Sequence, residues 1–180
     1  MTASARGYFG IGVEGISKPG NLGNLMRSAH AFGAGFFFTI DSVINVDTRQ
    51  SDTSGSVDHV PLYRFSSVGE LQLPERCTLV GVEFTDEAVD LPSFPHPLSA
   101  AYVLGPERGS LSPDLVAKCE HLVKIPTHFC VNVGVAGAIV MYDRVLSTGR
   151  FGARPVNPRR RAAALPRHVQ GMPQIRKPRG

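Results

Sequence analysis

Between residues 8 and 149, strand-like and helix-like segments alternate, and this alternation most narrowly limits what the chain can fold into. Successive strands separated by helices pair in parallel, so the pattern reads as α/β: a mostly parallel sheet with helices on both faces. Residues 8–13 and 35–40 read as strands. The second holds the continuous run Phe36, Phe37, Phe38, as expected of a strand buried on both sides. A helix is predicted between them. Asn21 or Asn24 caps its start, Leu25, Ala29 and Phe32 share one face, and Gly33 closes it in a left-handed conformation.

Further along, 62–65 reads as a short strand, 67–71 as a short helix and 78–84 as a buried strand. Residues 101–104 form a strand running into Gly105-Pro106-Glu107-Arg108-Gly109. Ser112-Pro113-Asp114 then supplies an N-cap and a proline for a first helical position. A strand over 121–125 is stopped by Pro126. The helix predicted over 132–147 carries Gly134, Ala136, Gly137 and Ala138 in its first turns, where another backbone can approach closely. Only near Asp143 and Arg144 does it turn amphipathic, so burial all round is expected, against its own sheet and a partner subunit.

A chain of 180 residues with 42% hydrophobic content is enough for one α/β domain with a real core. No apolar run approaches the roughly 20 residues of a membrane helix, and the first ten residues lack the apolar stretch of a signal peptide, so a cytoplasmic location is expected. Cys77, Cys119 and Cys130 are widely spaced and odd in number. They are read as three small buried hydrophobes, with no metal site and no disulfide framework. The net charge of +4 sits in the tail: Arg150, Arg154, Arg159, Arg160, Arg161, Arg167, Arg176, Lys177 and Arg179 have no acidic counterpart after them. The folded domain is accordingly expected over 1–149, with 150–180 a basic, proline-rich flexible arm suited to phosphate backbones or simply to solubility. The polar stretch 47–58 is expected to be a surface loop available to grip a substrate.

One motif is set aside. Gly10-Ile-Gly12-Val-Glu-Gly15 matches G-x-G-x-x-G, but these glycines lie within or just after the first strand, and Pro19-Gly20 is expected to block a helix there. Three other segments each place a strand before a glycine- or proline-marked turn and a helix. In SKPGNLGNLMRSAHAFG (17–33), Asn21 lies at the helix start and Arg27 projects from the helix; taken alone they are a cap and a solvated arginine. In YVLGPERGSLSPDL (102–115), Gly105 and Gly109 let backbone N–H groups close on a ligand. Glu107 is held at the carboxyl edge of the strand, where open α/β sheets bind ligands, although an ordinary β-turn accounts for it equally well. In KIPTHFCVNVGVAGAIVMYDRVLS (124–147), Ile125-Pro126 turns the chain and Asn132 occupies the mouth of the helix, again where a simple cap would sit.

Together, in this order and spacing, the three segments resemble the SpoU-type (TrmH-like) branch of the SPOUT RNA methyltransferase superfamily over roughly residues 8–147. The resemblance implies an α/β fold with a C-terminal deep trefoil knot, one of the rare exceptions to unknotted topology. It also implies a homodimer and S-adenosyl-L-methionine (AdoMet) as methyl donor, held by Glu83 and its neighbours, by Gly105 to Gly109, and by Ile125 to Val133, with Ile125, Cys130, Val131 and Asn132 foremost. Asn21, Arg27, Glu107 and Asn132 match family positions residue for residue. Where relatives usually show Ser-Leu/Met-Asn, this chain has Cys130-Val131-Asn132, so a hydroxyl is absent there, and the connection after Ile125-Pro126 is shorter than in many relatives.

The implied reaction is methylation of an RNA ribose 2′-hydroxyl, in which positioning dominates. By resemblance, Arg27 faces the hydroxyl or its neighbouring phosphate, Asn21 and Glu107 orient Arg27 and the nucleotide, and Asn132 takes the methionine end of the donor. A guanidinium keeps its proton too strongly to be a base, so Arg27 is expected to stabilise the forming alkoxide while the proton passes to Glu107 or water. Transfer RNA is the expected substrate, with ribosomal RNA and a non-catalytic RNA-binding protein as alternatives; base methylation fits the first motif poorly. Arg27 and the tail residues Arg150, Arg154, Arg159, Arg160 and Arg161 are the expected RNA contacts.

Overall fold

The computed structural model describes residues 7–44, 59–149 and 151. The loop expectation over 47–58 and the tail from Arg150, apart from Phe151, lie outside them. The described elements are strands β1 (Tyr8–Glu14), β2 (Phe36–Ile40), β3 (Leu62–Phe65), β4 (Thr78–Val82), β5 (Val89–Asp90), β6 (Ser99–Leu104) and β7 (His121–Lys124), with helices α1 (Pro19–Phe32), α2 (Pro113–Lys118) and α3 (Val133–Thr148). They build a seven-stranded sheet in the order β3-β2-β1-β6-β4-β7-β5, every adjacent pair parallel. A parallel sheet of this kind needs cover on both faces. Along β6, Ala100, Tyr102 and Leu104 face a core built with α1 and α3, while Ala101 and Val103 face a smaller core closed by Leu111 and Leu115 around α2.

Several local expectations need correction. The first helix begins at Pro19, not after it, and its N-cap is Lys18, which makes no side-chain cap. A proline at the first helical position surrenders an N–H that would be unpaired anyway and already has helical φ, so Pro19 starts the helix instead of blocking it. Asn21 therefore sits inside the first turn. Its C-terminus is as anticipated, with Gly33 left-handed at φ 76°. Gly10 and Gly12 lie within β1, where an added Cβ would come within 2.2 Å of the Phe36 ring and 2.5 Å of the Phe38 ring. They are glycines because the aromatic rings of β2 lie across them.

The last helix is approached as closely as its small residues predict. What its small residues admit is α1 of the same chain: a Cβ on Gly137 would lie 2.1 Å from Leu25 Cδ1, and one on Gly134 3.3 Å from Asn24 Cβ. Within the single chain, Val135 and Tyr142 are exposed. Arg144, expected at a polar face, is 3% exposed. Its guanidinium donates to Pro97 O, Leu98 O, Tyr8 O and Tyr102 Oη, and lies 5.3 Å from the Phe9 ring centroid. Such a cation is tolerable in a core because carbonyls and aromatic faces replace its water.

The cysteines differ too. Cys77 and Cys119 are half-buried against the smaller core, and Cys130 is exposed. Burial pushes the Cys119 thiol up to about 11, so it stays protonated at neutral pH. Strand β5, not anticipated, is only two residues long and pairs with β7. No helix among the described residues is long and apolar enough to cross a membrane.

Candidate active site

Strands β1, β6, β4 and β7 are consecutive in the sheet and parallel, so the turns that follow them all open at one edge. This is where open α/β sheets form ligand crevices. Here the four turns enclose a cavity of about 430 Å³, within the size range of cofactor sites. Apolar walls come from Val82, Leu104, Ile125, Val131 and Ala136, and polar groups from Lys18, Asn21, Glu107 and Asn132. The three motif segments, far apart in sequence, thus meet in one pocket. Glu83, Gly105, Gly109, Ile125, Cys130, Val131 and Asn132 all line it. Arg27 does not. It is exposed on α1 and lines an adjoining groove with Asn24, Ser28, Val135, Ala138 and Tyr142, and Asn132 borders both spaces.

A chain of hydrogen bonds ties the turns together. Asn132 caps α3 by accepting from Gly134 N at 2.9 Å, which commits its oxygen and leaves its amide nitrogen to donate to Asn21 Oδ1 at 3.0 Å. Asn21 in turn donates from Nδ2 to Glu107 Oε1 at 3.1 Å. Asn132 is therefore both the cap that the sequence allows and a link to the first motif. Glu107 also accepts from Lys18 N at 3.0 Å, Ser17 N at 3.2 Å and Ser17 Oγ at 3.1 Å. Its carboxylate supplies from outside the acceptor that the start of α1 lacks, next to the positive end of that helix.

These contacts set the chemistry of Glu107. Partial burial favours its neutral form, but the hydrogen bonds from its own backbone N–H, Asn21 and Ser17 together outweigh that and hold the carboxyl below the usual range. A carboxylate so satisfied is a poor proton acceptor. Among the described residues it makes no hydrogen bond to Arg27; the bonds of Glu107 and Asn21 tie the start of α1 to the loop 105–109.

Two more carboxylates brace that loop, and only one was foreseen. Glu83 accepts from Phe84 N at 2.9 Å and Leu111 N at 2.7 Å, so its side chain holds protein backbone. Glu14, 8% exposed at the end of β1, accepts from Ser112 N at 2.8 Å and Ser112 Oγ, and Ser112 caps α2. An acidic residue ending an otherwise apolar strand was the available signal for Glu14. Lys18 and Lys124, which also line the cavity, were likewise missed, whereas Phe84 and Thr127 fall within the stretches expected to hold the donor. Lys124 donates from Nζ to Thr85 O at 3.1 Å and fastens the turn after β4.

The arrangement matches known proteins. The chain is 28% identical over 145 residues to a Staphylococcus aureus protein assigned to the TrmH family of tRNA/rRNA methyltransferases; the match covers 73% of this chain and 56% of that protein. It thus spans little more than half the length of such relatives. An AdoMet-bound rRNA methyltransferase of Sinorhizobium meliloti shares the fold with a TM-score of 0.71 and 21% identity, covering 78% of this chain and 57% of that one. A structure described as giving insight into 2-OH methylation of C/U34 on tRNA superposes with a TM-score of 0.69 and 21% identity, over 78% of this chain and 91% of that one. The sequence profile of the SpoU rRNA Methylase family matches residues 9–142. That span contains every strand but the first residue of β1, the first two motif segments, the third as far as Tyr142 and the whole hydrogen-bonded chain from Asn132 to Glu107, and the protein therefore belongs to the SpoU methylase family of RNA methyltransferases.

Proposed function

We propose that this protein transfers a methyl group from AdoMet to a ribose 2′-hydroxyl of transfer RNA. The observation that carries the reading is the convergence of three motif turns on one cavity, with Asn132 shared between that cavity and the Arg27 groove. AdoMet supplies, when bound, an activated methyl group on a sulfonium. The cavity suits such a donor: apolar walls from Val82, Leu104, Ile125 and Val131 accept a purine, and loop backbone at Gly105, Gly109, Cys130 and Val131 can read its edge. Asn132 holds the polar methionine end.

Arg27 then acts from the neighbouring groove. It stays protonated, donates to the ribose hydroxyl or an adjacent phosphate, and stabilises the alkoxide as it forms. The hydroxyl proton leaves to water, because Glu107 is already saturated and acidic. Glu107, Asn21 and Ser17 keep the α1 turn and the 105–109 loop at fixed separation, and this pre-positioning is their contribution. Cys130 takes part through its backbone only.

The active unit is a homodimer located in the cytoplasm, with the exposed Val135 and Tyr142 of α3 in the subunit contact and the C-terminal part of the chain knotted. Residues 1–149 are the catalytic domain. The basic residues Arg150, Arg154, Arg159, Arg160 and Arg161 hold the RNA backbone. Incubation with isotopically labelled AdoMet and either tRNA or ribosomal RNA, followed by nucleoside mass spectrometry, tests the reading. A 2′-O-methylnucleoside from tRNA is expected, lost when the target carries a 2′-deoxyribose. A methylated base, or no binding of AdoMet, would overturn it, and methylation of ribosomal RNA alone would move the substrate.

A further inference from the structure

Four charged side chains line the cavity: Lys18, Glu83, Glu107 and Lys124. Three are occupied by protein. Glu83 accepts from Leu111 N and Phe84 N, Glu107 accepts from Ser17, Lys18 N and Asn21, and Lys124 donates to the carbonyls of Thr85 and Asp86. The ammonium of Lys18 has no hydrogen-bond or ion-pair partner among the described residues. A cavity whose other charges are internally satisfied and which keeps one free cation at its rim is set to receive an anion.

Lys18 is also badly placed for the fold. It stands at the N-cap of a 14-residue helix without capping it, in a position that favours Ser, Thr, Asp or Asn. Its positive charge adds to the positive end of the helix dipole, and no acidic residue occupies the first turn. The residue costs local stability on both counts. Such conflicts between local preference and fold mark functional positions.

Resting on the functional reading above, we propose that Lys18 docks a phosphate of the RNA strand at the cavity mouth and so sets the register of the target ribose. Two anions could reach this ammonium, the carboxylate of the methyl donor and a backbone phosphate. The exposure of Lys18 favours the phosphate: the residue lies on the solvent side of the cavity, where the strand arrives, and not among the apolar walls. It also stands on the same helix as Arg27, so one rigid element presents both cations to the strand.

The test compares wild-type protein, K18Q and K18R. K18Q is expected to raise KM for tRNA about fivefold at low ionic strength, the upper range for one exposed ion contact, with kcat retained. It is expected to make the dependence of RNA binding on log salt shallower by about one unit. K18R restores both, and calorimetry finds AdoMet affinity equal in all three. Equal weakening of AdoMet binding in K18Q overturns the proposal in favour of the donor carboxylate. An unchanged salt slope and KM overturns it outright, while the functional reading survives. A wild-type protein that binds neither AdoMet nor RNA overturns both.

Discussion

The two ends of α3 carry polar networks that look alike on paper and differ in what surrounds them. At the N-terminal end, Asn132, Asn21 and Glu107 are linked in a chain lining an open cavity, and Asn132 and Lys18 are exposed. At the far end, Asp143, His96, Tyr102 and Arg144 are linked in a chain sunk in protein. Arg144 donates to Tyr102 Oη at 3.1 Å, so the hydroxyl hydrogen points to His96 Nδ1 at 2.6 Å, and His96 Nε2–H donates to Asp143 at 2.9 Å. The side chain of His96 is fully buried. Only Asp143, whose side chain is 24% exposed, reaches solvent there. A mostly buried network specifies one packing, here the docking of α3 against the segment 96–98, whereas a network lining an open cavity is where binding happens.

That contrast can be broken most severely at Arg144. R144M removes donors from three backbone carbonyls in the core, and a loss of about 3–5 kcal/mol in urea unfolding is expected, with AdoMet affinity of the folded fraction unchanged. A cost near zero would deny the far end its locking role. Next in size, R27A should reduce kcat by about 10²–10³-fold while leaving the unfolding midpoint and AdoMet affinity intact, because Arg27 is exposed and lies outside the cavity. Substantial residual turnover would remove it from the chemistry.

At Asn132 the two kinds of role overlap. N132A should lose about 1 kcal/mol of stability through the cap and weaken AdoMet binding. N132D keeps an oxygen for Gly134 N but turns a second oxygen toward Asn21 Oδ1, so it should retain stability and still weaken AdoMet binding. Wild-type AdoMet affinity in N132D would mean that the cap alone matters.

The smallest effect is a pH dependence. Burial, opposed by Asp143, holds His96 below its ordinary range. Its folded-state value is depressed, so as pH falls through about 6.5 the unfolded chain takes up a proton before the folded one does, and stability declines. Wild type should therefore lose more stability between pH 7.5 and 5.5 than H96Q, measured by urea unfolding; identical slopes would place His96 outside the titration.

Much of this was legible from residues alone, and the failures are instructive. Local chemistry identified Gly33 and Ser112 at helix boundaries and the apolar strands β2 and β6, because capping and periodicity act within a few residues. Pro19 was misjudged since a helix-breaking residue is also a helix-starting one, and only the chain direction around it decides. Arg144 was misassigned to a polar face because nothing nearby announces carbonyls from residues 8, 97 and 98. Strand β5 went unseen because two residues carry no periodicity. The cavity residues were found through motif resemblance, but Glu14 and Lys18 were not singled out. Their meaning lies in what they face, or fail to face, across nearly a hundred positions.

The sequence by itself determined the alternation of elements, the parallel α/β class, the three turns and the residue types within them, since these follow from periodicity, caps and glycine placement. Tertiary structure alone decided how those residues are used. Sheet order brought four strand ends to one edge, hydrogen-bond geometry saturated Glu107 and left Lys18 free, and the close approach of α1 to α3 placed Arg27 beside the cavity instead of inside it. Partners far apart in the chain have no signature in local preference, and their roles exist only once the backbone has brought them together.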